Sequence, residues 1–211
     1  MKNNVNKKLE KVFIFSGVIL IAAALALLIY DIQDDRRAAI VAEETVLLLD
    51  ENEDNENNDN ESEVIPPNTI DPEKEMPTTL INGSEYIGKI DIPALNISLP
   101  VMKEWNYPNL KIAPCRYYGS VYSDNMVIAA HNYESFFGLL KNLDTGSAII
   151  FTDADGNEFD YEIEEITLLS PWEVEEMTSG EYPLTLFTCN YSGKQRVTVR
   201  CAKTDNLKKG E

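Results

Sequence analysis

The sequence is short of positive charge. Its 211 residues hold 18 Lys and Arg against 36 Asp and Glu, for a formal net charge of −18. That balance argues against a general nucleic-acid binder, because phosphate contacts need a basic face. There is one histidine, so a multi-histidine metal cluster cannot be built. Three cysteines are too few for a disulfide scaffold, and the odd number leaves at least one thiol outside any intramolecular pair. No internal repeat is visible. Hydrophobic residues make up 44% of the chain, which suffices for a core, and the length fits one domain plus extras.

The charge is unevenly spread. Residues 1–30 carry a net +3, residues 31–80 a net −13 and residues 81–211 a net −8. Val12 to Tyr30 is a run of 19 uncharged residues. As a helix it would span about 28 Å, close to the ~30 Å hydrocarbon core of a bilayer. Four lysines lie within residues 1–11, and Asp31, Asp34 and Asp35 follow the run. This asymmetry predicts a cytoplasmic N-terminus and an exported remainder. A cleaved signal peptide with Ala24-Leu25-Ala26 as its site is the rival reading, and it too exports the domain. The chain therefore divides into a tip (1–11), a transmembrane anchor (12–30), an acidic, partly disordered linker (31–80) and a folded domain (81–211). Residues 31–50 favour a short helix. The tract ENEDNENNDNESE at 51–63 has no apolar residue and reads as a disordered, self-repelling spacer. It lacks the spaced ligands and glycine of a calcium loop.

The folded part reads as mainly β. Strands are expected at Tyr86–Ile92, Ile97–Met102, Met126–Ala130, Ala148–Thr152, Phe159–Ile166, Leu184–Thr188 and Arg196–Cys201. Asp155-Gly156 signals a hairpin. Short helices are expected at Ser135–Leu143 and at Pro171–Met177, the latter opened by Ser170 as N-cap. Seven or so short strands in this length suggest a barrel or sandwich.

Two stretches could carry chemistry. LTLFTC ends in Cys189, a turn follows, and the next strand opens on Arg196, with Thr198 and Arg200 on the same face. MVIAA delivers His131 to its C-terminal end, with Asn132 beside it to orient the imidazole. A free Cys is most often a small buried hydrophobe and a lone His most often structural. However, two strand ends can meet in one groove. A Cys–His pair is the minimum for covalent thiol chemistry, and Arg196 offers a positive donor to a developing oxyanion. Cys201 alternates to the opposite face from Arg196 and reads as packing. Cys115 lies in a loop, and a Cys115–Cys201 disulfide is an open alternative in an exported chain. Trp105 and Trp172 read as rim or core aromatics, with Trp172 the nearer candidate for touching substrate.

Thr185-Leu186-Phe187-Thr188-Cys189 resembles the TLxTC signature of sortases. His131 upstream, Arg196 downstream and the export anchor match that family's order, and the resemblance runs over residues 86–203. It implies a closed β-barrel with short rim helices and a cysteine transpeptidase, with no cofactor. Cys189, His131 and Arg196 would be catalytic, Thr188 and Asn132 would bind substrate, and Arg200 would be the alternative to Arg196. The implied substrates are surface proteins with a C-terminal LPxTG-like sorting motif, joined to an amine of a peptidoglycan precursor. The implied location is the cell membrane, single-pass, with the catalytic domain outside. The pattern is most similar to class B enzymes, although Leu168–Pro183 is short for the helix-bearing connection of that class. Asp71-Pro72 resembles the lid motif of pilus-building sortases, but Glu73 stands where an aromatic is expected. A pilin-polymerising enzyme is one alternative; a non-catalytic anchored β-domain that binds a surface partner is another. Papain-like peptidases place Cys before His, the reverse of the order here.

Overall fold

The computed structural model describes residues 2–59 and 70–204, with side chains for 11–51 and 70–204. It opens on one helix, α1 (Lys2–Asp59). From Val12 to Tyr30 the side chains of this helix are apolar around its circumference and almost all exposed. A helix apolar on every face and uncovered by protein suits hydrocarbon, and this one is long and apolar enough to cross a membrane.

From Ala38 onward α1 belongs to the folded unit. Ala38, Ala42, Val46 and Leu49 are buried at spacings of three and four, so they form one stripe of the helix. Ala38 and Ala42 join the core that holds Met76 and Ile87, whereas Leu49 packs with Ile81, Tyr86 and Met102. Asp50 pairs with Lys89 of the barrel. The expected boundary near Ile81 is thereby moved upstream, and 38–50 is packed structure, not spacer. The sequence obscures this because the stripe is built of small residues among acids, with Val41, Leu47 and Leu48 exposed between them. The helix backbone continues to Asp59, unlike the spacer expected there; residues 60–63 of the acidic tract lie outside the described residues.

Nine strands follow: β1 (Thr79–Ile81), β2 (Ser84–Ile92), β3 (Ile97–Met102), β4 (Cys115–Tyr118), β5 (Met126–Ala130), β6 (Ala148–Asp153), β7 (Glu158–Leu169), β8 (Leu184–Cys189) and β9 (Arg196–Lys203). Their order is β1-β2-β3-β4-β5-β8-β9-β7-β6, and β6 also pairs with β2. β2 to β9 therefore close into an eight-stranded barrel, with β1 appended to the start of β2. The closing seam runs from Gly88↔Asp153 to Asp91↔Ile150. Gly88 sits there at φ +139°, and a Cβ would come within 1.9 Å of the Thr152 carbonyl oxygen, so only glycine fits. The β6–β7 hairpin turns at Asp155-Gly156 as expected. Asp153, fully buried, anchors that turn: it accepts the Tyr122 hydroxyl at 2.7 Å and the backbone N–H groups of Asp155 and Asn157, both at 2.9 Å.

The rim helices are shorter than the sequence suggests. Ser135–Leu143 forms turns and one 3-10 turn at Leu140–Asn142, yet its Phe136, Leu140 and Leu143 are buried as a helix would have buried them. One or two turns cannot offset the cost of helix nucleation without a continuous stripe. A one-turn helix that was not expected, α2, spans Tyr107–Leu110, and of the second expected segment only Val174–Met177 is helical (α3). Ser170 does not cap α3. Its hydroxyl accepts the Trp172 N–H at 3.3 Å in a local turn, and Glu173 closes that turn by accepting the Ser170 N–H.

Candidate active site on the outer wall of the barrel

β8 alternates strictly. Leu184 and Leu186 point into the barrel core, whereas Phe187 packs in a separate cluster outside it. Cys189 shares the outer face with Phe187 by the period of two, and it is half-buried. β9 lies antiparallel to β8 with Cys189 directly opposite Arg196. Opposed residues of a ladder share a face, so the thiol and the guanidinium are cross-strand neighbours. On the other side β5 runs parallel to β8, with Ala130 opposite Thr188. His131, the next residue after Ala130, thus emerges beside Cys189. All three sequence-predicted catalytic residues meet at one end of three adjacent strands.

Thr188 does not line that surface. It points inward, is buried, and donates its hydroxyl proton to the Ala130 carbonyl at 2.9 Å. Thr188 ties the end of β5 to the end of β8, and so positions His131 against Cys189. The loop after His131 is equally tight. The Phe137 N–H reaches the His131 carbonyl at 3.4 Å, and Gly138 packs so closely that a Cβ would lie 2.5 Å from the Asn132 carbonyl oxygen. The His131 ring lies 5.0 Å from that of Tyr133. Asn132 is half-buried in this loop. The turn between β8 and β9 is organised by Asn190, whose side-chain oxygen accepts the N–H groups of Lys194 and Gln195 at 3.1 and 3.3 Å. Arg196 reaches back to the Gly193 carbonyl at 3.4 Å and makes no ion pair among the described residues.

Arg200, the alternative to Arg196, is committed elsewhere. It is 7% exposed, donates to Glu165 and Glu176 at 3.0 Å each, and lies over the Tyr182 ring. Burial opposes its charge, and the bonds to Glu176, Tyr182 and Glu165 more than restore it. Each terminal nitrogen holds a carboxylate, so Arg200 fastens the β7–β8 connection to the barrel.

The other two thiols are unsuited to chemistry. Cys115 and Cys201 are free and fully buried, in different clusters, so the disulfide left open by the sequence does not form. Burial pushes both thiols up to about 12. Only Cys189 combines exposure with a neighbouring imidazole and guanidinium. Alkylation of the native chain is therefore expected to label Cys189 alone, with Cys115 and Cys201 labelled only after unfolding. Peptide mapping that finds equal labelling of all three would contradict this.

A cavity of about 190 Å³ adjoins Arg196 on the same outer face. Its apolar walls are Trp105, Tyr107, Tyr117 and Phe187, and the β7–β8 connection covers it with Pro171, Val174 and Met177. The sequence did not point to this set, because five separated segments supply it. Of the two tryptophans Trp105 lines it, whereas Trp172 is 90% exposed and does not. The segment with Asp71-Pro72 lies elsewhere. Ser123 donates its hydroxyl to the Pro72 carbonyl at 2.8 Å, just ahead of β5 and therefore at the strand end opposite His131. It does not cover the site.

The sortase-domain family profile matches residues 90–204. A curated relative, sortase A of Bacillus anthracis, is 29% identical over 122 residues, which are 54% of this chain and 57% of that one, so the chain spans less than two thirds of the relative. Among solved structures, sortase C of Clostridium perfringens is similar with a TM-score of 0.50 and 27% identity, covering 57% of this chain and 70% of the other. A lid mutant of sortase A from Corynebacterium diphtheriae shares the fold at a TM-score of 0.52 and 20% identity, covering 61% and 72%. With an eight-stranded barrel, a thiol closing the TLxTC strand and more than half its length matched, the chain belongs to the sortase family.

Proposed function

We propose that the chain is a membrane-anchored transpeptidase that cleaves an LPxTG-like sorting motif and passes the surface protein to an amine of a peptidoglycan precursor. One observation carries the reading: Cys189 and Arg196 are an opposed pair on the outer face, beside the strand that leads into His131. The Cys189 thiolate attacks the carbonyl carbon of the scissile bond, forming a C–S bond. The oxygen takes up negative charge, which Arg196 offsets. Collapse breaks the C–N bond, and the His131 imidazolium gives its proton to the departing amine. The acceptor amine then attacks the thioester and gives its proton to the now neutral His131. The C–S bond breaks, Cys189 leaves as thiolate, and a new peptide bond forms. The thioester conserves the energy of the cleaved bond, so no ATP is needed.

The cavity beside Arg196 suits the acyl part of the substrate, since only that part stays on the enzyme through both steps. Residues 12–30 would anchor the chain, with 1–11 in the cytoplasm and the barrel outside the cell, consistent with the lysines before the span. Asp71-Pro72 at the far end of the barrel gives no support to a lidded, pilin-polymerising enzyme. Incubation with a library of sorting-motif peptides should give a Cys189 acyl adduct by intact-mass spectrometry, absent in Cys189→Ala. An unmodified wild-type chain across the library would refute the proposal.

A further inference from the structure

The folded domain is rich in acids, yet its three arginines are treated unequally. Arg200 holds two carboxylates. Arg196 and Arg116 hold none among the described residues. In an acid-rich domain an arginine without a carboxylate partner keeps most of its donors for something that is not part of the fold.

Arg116, on β4, spends one donor internally, from Nε to the Lys103 carbonyl at 3.2 Å. Its two terminal nitrogens make no hydrogen bond among the described residues. Together with Lys103 and Tyr118 it lines a second, open cavity of about 520 Å³. Trp105 and Tyr117 line both cavities, with their rings edge-on at 5.5 Å. The two cavities are therefore consecutive along one groove. Arg196 lies at the reacting end and Arg116 lines the distal part. Lys103 is shared with Glu85 and Glu75 at 3.4 and 3.8 Å, so the uncommitted charge there is that of Arg116. Glu104 also lines the second cavity, but it is exposed and forms no ion pair with Arg116.

We infer that Arg116 forms a carboxylate subsite for an acidic side chain of the substrate, one to three residues upstream of its sorting motif. The inference rests on the transpeptidase reading for its choice of ligand. A substrate whose reacting carbonyl sits between Cys189 and Arg196 and whose acyl part fills the first cavity must leave that cavity past Trp105 and Tyr117. The next residues of an extended chain, at about 3.3 Å each, then run over the second cavity. A planar guanidinium with two free nitrogens matches a carboxylate there, and a substrate lysine would be repelled.

The test separates the subsite from the chemistry. The full chain carrying Cys189→Ala, in neutral detergent, is titrated with sorting-motif peptides that bear Glu, Gln or Lys at the upstream positions, and binding is read by calorimetry. At one position Glu should bind about 5–10-fold more tightly than Gln, a preference that shrinks in high salt. Arg116→Gln should bring the Glu-to-Gln ratio close to one. Arg116→Glu should reverse the preference toward Lys, which misfolding cannot do. Glu and Gln peptides within twofold at every position, or a preference that survives both substitutions, overturns the subsite. In a parallel arm the wild-type chain is scored for Cys189 acylation by the same peptides; failure there refutes the transpeptidase reading, while the binding arm still decides the subsite.

Discussion

Arg196→Ala should lower the rate of Cys189 acylation by about 100–1,000-fold, the size seen when one donor to a developing oxyanion is removed. Its melting temperature should hardly change, because Arg196 makes a single 3.4 Å contact to the Gly193 carbonyl and carries no ion pair among the described residues. Arg200→Ala should do the reverse. It strands Glu165 and Glu176 without their shared cation and takes a buried side chain out of contact with Tyr182. Both carboxylates are half in water, so the loss should be about 1–3 kcal/mol, below that of a fully buried pair. The rate should fall less than for Arg196→Ala, through loosening of the β7–β8 connection that covers the first cavity. Single-turnover acylation and urea unfolding of both variants check this. If Arg200→Ala proves the slower enzyme at unchanged stability, the oxyanion role belongs to Arg200.

A chain beginning at residue 81 should be much less stable than one beginning at residue 38. The shorter chain loses the buried stripe of Ala38, Ala42, Val46 and Leu49 and the Asp50–Lys89 pair, and it uncovers Ile81 and Tyr86. Full burial of one Leu and one Val alone is worth about 3–5 kcal/mol, a large share of the ~5–15 kcal/mol that holds a typical domain together. Aspartates placed at both Ala42 and Val46 in the longer chain should reproduce much of the loss. Thermal unfolding of the three chains gives the answer; equal midpoints for the first two would mean that the stripe contributes nothing.

The barrel was largely legible because its strands carry period-two alternation, and all seven expected strands are present with ends shifted by at most three residues. The two missed strands show why the signal fails. Thr79–Ile81 is three residues long, and Cys115–Tyr118 has a register shift between Arg116 and Tyr118 that breaks its alternation. The juxtaposition of Cys189, His131 and Arg196 was expected because each stands at the end of an apolar strand, and the β5–β8–β9 pairing brings those three ends together. The groove was not legible, because Trp105, Tyr117, Phe187 and Met177 meet only after the barrel closes. The burial of Thr188 follows from its place in the strand: its neighbour Cys189 faces outward, and strict alternation turns every second residue of that signature inward.

The pairing of β5 with β8 also has a kinetic meaning. The Thr188–Ala130 hydrogen bond joins residues 58 apart in sequence, within a parallel ladder whose intervening chain contains β6 and β7. Contacts of such separation form late, since loop closure must precede them. Until then Cys189 can have Arg196 beside it, across the local β8–β9 hairpin, but not His131. On the proposed mechanism the full Cys189–His131–Arg196 set is thus assembled only on maturation of the barrel, and a nascent or partly unfolded chain should acylate itself poorly on peptides it meets.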